Sequence, residues 1–166
     1  MLRAKICCIA SVAEARLAIE AGAGALGLVS AMPSGPGPIA EALIAEIAAA
    51  VPAPIDTFLL TALQDADAIV AQHRRCRTTV LQLVDALPAT ELRRLRAALP
   101  AVSRRIRDAV AVPVWLAGGL GAHNVGAAIA AVRPHGVDLC NGVRSEGRLD
   151  AVKLRAFFAA LPPAAA

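Results

Sequence analysis

Aromatic residues are scarce in this chain of 166 residues, which has no Tyr, one Trp and three Phe. Proteins that grip nucleic acid through its bases need flat rings for stacking. The net charge of +4 therefore does not indicate a nucleic-acid partner. Most of the Arg falls in helical stretches, as with Arg93, Arg94 and Arg96, or Arg104, Arg105 and Arg107, where a solvated helix face accounts for it. No stretch reaches the ~20 apolar residues of a membrane span. Lys5, Glu14 and Arg16 break up the N-terminal stretch, so it lacks the apolar centre of a secretory signal. The four Cys show no Cys-x-x-Cys spacing, and the His show no His-x-x-x-His, so neither a disulfide scaffold nor a metal site is indicated. The expectation is a cytoplasmic protein in a reducing compartment, with no cofactor, no metal and no membrane partner.

What is present is a strict alternation of two patterns. Short apolar runs occur at Ala4–Cys8, Ala25–Ser30, Ile55–Leu60, Thr78–Val84, Val112–Ala117 and Val137–Cys140. Amphipathic helical patterns follow each of them: one capped by Ser11 and Glu14, then Ala40–Ala50, Gln64–Arg74, Ala89–Leu99, Ala122–Val132 and Asp150–Leu161. Strands that are apolar on both faces and separated by helices predict a parallel sheet covered by helices. The composition is 57% hydrophobic and rich in Ala, which suits close packing of helix on sheet. The alternation fails at one place. Around Leu99-Pro100-Ala101-Val102-Ser103 one helical pattern ends and another, Val102–Val110, begins with no strand between.

Three strand ends carry candidate chemistry. Lys5-Ile6-Cys7-Cys8 places thiols at the tip of the first strand, where adjacent residues are expected to face opposite sides. Gly118-Gly119 and Gly142-Val143 end the last two strands. Such turns present backbone N–H groups to a phosphate, helped by the helix that follows. Asp138 is placed to hold a sugar hydroxyl or to cap a loop amide. His123 and His135 fall at helix-start and loop positions and are expected in solvent, and Cys8, Cys76 and Cys140 are expected to be packing residues.

These residues resemble the phosphoribosylanthranilate isomerase family, (β/α)8 barrel enzymes of tryptophan biosynthesis. Lys5-Ile6-Cys7 is similar to the first-strand motif, with Cys8 where the family usually has Gly. Gly22-Ala23-Gly24-Ala25-Leu26-Gly27 is similar to the approach to the second strand. Leu116–Leu120 with Asn124-Val125, and Arg133-Pro134-x-Gly136-Val137-Asp138 with Gly142-Val143, are similar to the last two strand ends. The resemblance implies an Amadori rearrangement of a phosphorylated aminoaldose to an aminoketose. An acid opens the sugar ring and a base removes the proton at C2, and Cys7 is the implied base.

The family pattern is not complete. The resemblance implies eight strands, and about six are present, so the fold class expected is α/β of the (β/α)8 barrel type lacking its fifth and sixth strands, as one incomplete domain over residues 1–166. The stretch lost near Ala101-Val102 amounts to roughly forty residues of a barrel of ~200 or more. It would hold the family's general-acid aspartate and a Gly-rich loop. The loop Ser30–Pro38 is uncharged and lacks the family's substrate-carboxylate Arg. After the fourth strand Val84-Asp85 stands where the family often has His, and Asp85 is the candidate substitute acid. The alternative expectation is a degenerate phosphate-binding barrel that has lost its acid. Exposed strand edges predict a homo-oligomer.

Overall fold

The computed structural model describes residues 3–85, 87–98 and 115–162. The strands are β1 (Arg3–Ile6), β2 (Ala25–Val29), β3 (Asp56–Thr61), β4 (Val80–Leu83), β5 (Trp115–Ala117) and β6 (Gly136–Leu139), followed by a short antiparallel hairpin, β7 (Arg144–Ser145) and β8 (Arg148–Leu149). The helices are α1 (Val12–Glu20), α2 (Glu41–Ala50), α3 (Ala66–Cys76), α4 (Ala89–Ala98), α5 (Val125–Val132) and α6 (Ala151–Ala159). The first six strands form one parallel sheet in the order β4-β3-β2-β1-β6-β5. The expected pairing of the first long strand with the last holds, with Ala4 opposite Val137 and Ile6 opposite Leu139. The seam at Leu99–Ser103, the helical pattern Val102–Val110 and the first part of the run Val112–Ala117 lie outside the described residues.

The sheet is curled. Phe58 on β3 and Trp115 on β5 are four strand spacings apart, about 19 Å on a flat sheet. Their ring centroids lie 6.1 Å apart, edge to face. The inner face carries Lys5, Phe58, Gln82, Trp115 and Asp138, and Lys5 reaches both Gln82 on β4 and Asp138 on β6. The opposite face follows from alternation. Ala4, Ile6, Leu26, Leu28, Leu59, Val137 and Leu139 pack against Ile44 and Ile47 of α2 and Leu154 and Phe157 of α6 in one core cluster. Such a curled parallel sheet with helices outside belongs to the (β/α)8 barrel type, here with six strands described.

Local signals account for the helix starts. Ser11 accepts the Glu14 N–H at 3.1 Å, Asp65 accepts that of Ala68 at 2.8 Å, and Asp150 accepts those of Val152 and Lys153. Glu14 turns back past the cap and accepts the N–H of Ala10, the residue before Ser11, at 3.0 Å, a variant of the capping box whose return bond falls one residue early. Glu14 also accepts the Leu149 N–H at 2.9 Å and pairs with Arg144 at 3.3 Å, which ties α1 to the C-terminal hairpin. Burial opposes its ionisation, but these donors outweigh it and hold the carboxyl below its ordinary range.

Candidate active site

Both ends of the sequence meet at the C-terminal ends of β1, β5 and β6. There Cys7, Gly118, Gly119, Leu120, Asp138 and Gly142, with Ala117, Leu139, Cys140 and Asn141, line a cavity of about 290 Å³. Of the residues singled out from sequence, Cys7, Gly118, Gly119, Asp138 and Gly142 share this cavity. Val143 does not line it, since its side chain is fully buried in the main core. Asp85 lies exposed in the bend after β4 and is not among the lining residues. His123 and His135 are exposed, as expected.

The two glycine turns differ. Gly118 and Gly119 have φ of +97° and +60°, and a Cβ at either would meet nothing within 4 Å. Their backbone therefore faces open space, as an anion cradle requires. Asn124 holds the turn from below, accepting the Gly121 N–H and donating to the Gly119 carbonyl, both at 2.9 Å. Gly142 is needed for packing. A Cβ there would lie 1.9 Å from the Leu120 carbonyl oxygen, so only glycine lets the two turns touch. A 3₁₀ turn over Asn141–Val143 follows β6.

Beneath the cavity Lys5 is 2% exposed and donates to Asp138 Oδ2 at 2.7 Å and to Gln82 Oε1 at 2.8 Å. Its ammonium also sits 5.2 Å from the Phe58 ring centroid. The other carboxylate oxygen, Asp138 Oδ1, is buried and has no hydrogen-bond partner among the described residues. An ion-paired carboxylate with a vacant lone pair accepts a hydroxyl readily. The sequence reading missed Lys5, although a lysine midway along an apolar strand requires a buried acidic partner.

The thiols depart from expectation. β1 ends at Ile6 and Cys8 takes the left-handed conformation at φ +62°, so strand alternation no longer applies at Cys7 and Cys8. Instead of facing opposite sides, both belong to one small cluster with Val29 and Leu60. Gly27 makes room for it, since a Cβ there would lie 2.7 Å from Cys7 Sγ. Cys140 is also more than a packing residue. It lines the cavity, and its Sγ is 2.8 Å from that of Cys8. Cys76 packs as expected, fully buried in the main core, and Cys8 is buried as expected in the smaller cluster.

The hydrogen bond from Cys8 is the chief cause holding the Cys7 thiol below its ordinary value, with burial opposing and Lys5 assisting. Hydrogen bonds to Cys140 and Cys7, then burial, push the Cys8 thiol up. Cys140 is lowered to about 7, first by Cys8, against burial and with help from Arg144. Arg144 is buried and donates to the carbonyls of both Cys7 and Cys8, which fixes this tip of the barrel. A thiolate alkylates and a thiol does not. Timed iodoacetamide labelling with mass mapping is therefore expected to modify Cys7 and Cys140 ahead of Cys8, and labelling of Cys8 first would contradict this order.

Cys7 and the Gly118-Gly119 turn share one cavity at the C-terminal ends of parallel barrel strands, the end at which barrel enzymes carry their active sites. Comparison with known proteins narrows the class. The family model described as N-(5'-phosphoribosyl)anthranilate (PRA) isomerase matches residues 62–160. The N-(5'-phosphoribosyl)anthranilate isomerase of Acidithiobacillus ferrooxidans is 32% identical over 199 positions, covering 96% of this chain and 97% of that protein. Since the chain has 166 residues, at least 33 of those positions face gaps in it. A Methanosarcina mazei enzyme of the same name is 50% identical over 56 residues, and there the match spans 24% of its length. The crystal structure of phosphoribosyl anthranilate isomerase from Thermus thermophilus superposes with a TM-score of 0.79 at 25% identity, covering 96% of this chain and 98% of that one. A structure of the enzyme in complex with reduced 1-(o-carboxyphenylamino)-1-deoxyribulose 5-phosphate superposes at 0.81, with 22% identity and coverage of 95% and 97%. The chain belongs to the N-(5'-phosphoribosyl)anthranilate isomerase family of tryptophan biosynthesis. Among the described residues no helix is long and apolar enough to cross a membrane, and no group of three or more His, Cys, Asp or Glu is placed to hold a metal.

Proposed function

We propose that this chain binds N-(5'-phosphoribosyl)anthranilate in the cavity at the β1, β5 and β6 ends and isomerises it to the aminoketose. The observation that carries this reading is the single cavity shared by Cys7, the Gly118-Gly119 turn and Asp138. In this reading the phosphate rests on the backbone N–H groups of Gly118-Gly119 and of the Gly142-Val143 turn. Asp138 Oδ1 accepts a ribose hydroxyl while Lys5 holds the other oxygen. Cys7, as thiolate, removes the proton at C2.

The test separates binding from chemistry. Ribose 5-phosphate, followed by ligand-detected NMR, binds the natural chain at millimolar concentration. Gly119→Asp loses that binding by placing a carboxylate in the cradle, at a left-handed position that Asp tolerates better than most residues. Cys7→Ala retains phosphate binding and loses turnover. Undiminished binding by Gly119→Asp, or turnover surviving in Cys7→Ala, would remove the respective assignment.

A further inference from the structure

We propose that Cys8 and Cys140 form a redox-active pair, oxidised by hydrogen peroxide to a disulfide that joins the tips of β1 and β6 beside Cys7. The two Sγ atoms lie 2.8 Å apart, whereas a disulfide needs about 2.05 Å, so small side-chain movements close it. The pair is asymmetric in access. Cys140 is half-buried and lines the cavity, so a small oxidant reaches it from the mouth. Cys8 is buried under the loop that follows β2. Its Sγ is 3.5 Å from the Pro36 carbonyl oxygen, and a Cβ on Gly37 would lie 2.7 Å from Cys8 Cβ. Arg144 holds the backbone carbonyl of Cys8, which keeps the second sulfur in place. Cys140 is the thiol poised as thiolate near neutral pH. This inference goes beyond the isomerase reading and does not rest on it.

The chemistry balances with the peroxide as oxidant. The Cys140 thiolate attacks one peroxide oxygen. An S–O bond forms, the O–O bond breaks, and the departing hydroxide takes a proton to become water. Cys8 sulfur then attacks the resulting sulfenic sulfur as it gives up its proton. The S–S bond forms, the S–O bond breaks, and the second oxygen leaves as water. Both thiols are oxidised and one peroxide is reduced to two waters. The proton that Cys8 shared with Cys7 is then gone, so Cys7 loses the hydrogen bond that most lowers its titration. The disulfide thereby suppresses the thiolate at Cys7.

The experiment treats the full chain with hydrogen peroxide, digests it without reduction and maps the cross-link by mass. Cys7 and Cys8 share the tryptic peptide between Lys5 and Arg16, so Cys7→Ser, Cys8→Ser and Cys140→Ser assign the partners, with circular dichroism checking each fold and Cys8→Ala as a second variant at that site. The cross-link is expected in the natural chain and in Cys7→Ser, absent from Cys8→Ser, Cys8→Ala and Cys140→Ser, and reversed by dithiothreitol. Alkylation of Cys7 should slow measurably in the oxidised natural chain, as the loss of the Cys8 hydrogen bond lets its titration move back upward. A cross-link surviving in Cys8→Ser, over-oxidation of Cys140 with Cys8 untouched, no reaction at all, or an unchanged Cys7 rate would each overturn the proposal.

Discussion

Purified, this chain is expected to isomerise N-(5'-phosphoribosyl)anthranilate with a kcat/KM about 10²–10⁴-fold below that of a relative of full barrel length, the contribution typical of a general acid. Ring opening needs a proton donor at the sugar oxygen. Among the described residues, Asp138 is the one carboxylate lining the cavity, and Lys5 holds it as an ion pair. An ionised carboxylate accepts hydrogen bonds and does not donate them. Asp85, the other strand-end carboxylate, is exposed after β4 and away from the lining. Steady-state turnover of the purified protein measures the deficit directly. Insertion of a family-like strand five and six segment at Ala101-Val102 should recover much of it. A rate equal to that of the full-length relative would sink this reading and return Asp138 or Asp85 to consideration as the acid.

The second large effect concerns stability. Lys5→Met is expected to destabilise the fold by about 3–5 kcal/mol, because it strands the Asp138 carboxylate in a site built around its partner. Lys5 is almost completely enclosed, and the Asp138 side chain is 18% exposed, so water solvates the orphaned charge poorly. Urea unfolding reads the loss as a lower midpoint with unchanged slope. The double variant Lys5→Met with Asp138→Leu should recover most of the loss, since it removes both charges together. A loss under 1 kcal/mol in the single variant would mean that the pair contributes no more than a surface ion pair.

Much of this arrangement was legible in the chain, and the parts that were not share a cause. Lys5-Ile6-Cys7 and Gly136-Val137-Asp138 each announce a strand by composition and a site by what ends it, and their pairing follows from barrel closure. Strand limits moved by one or two residues, as between the expected Thr78–Val84 and the observed Val80–Leu83, because apolar composition does not mark where pairing stops. The conformation of Cys8 was not legible. Its positive φ goes with tertiary contacts to Pro36-Gly37 and Arg144, and the one hint in the sequence was that Cys8 stands where the resembled family usually has Gly. Cys140 was misjudged for the same reason, since its sulfur partner lies 132 residues away. Asp85 was placed at a strand tip correctly, but a tip alone does not say whether a side chain turns toward the mouth.

The edge-to-face contact between Phe58 and Trp115 makes the molecule its own optical gauge. The chain has a single indole and no Tyr, so ultraviolet emission reports from one place only. That place spans the hollow of the sheet, with the Phe58 ring 6.1 Å and the His135 ring 5.8 Å from the indole. Loosening that separates β3 from β5 changes the surroundings of Trp115 even when every helix stays intact. Emission from Trp115 therefore follows closure of the curl, while far-ultraviolet dichroism follows the helices. Any lag between the two signals times the rolling-up of the sheet separately from the winding of its cover.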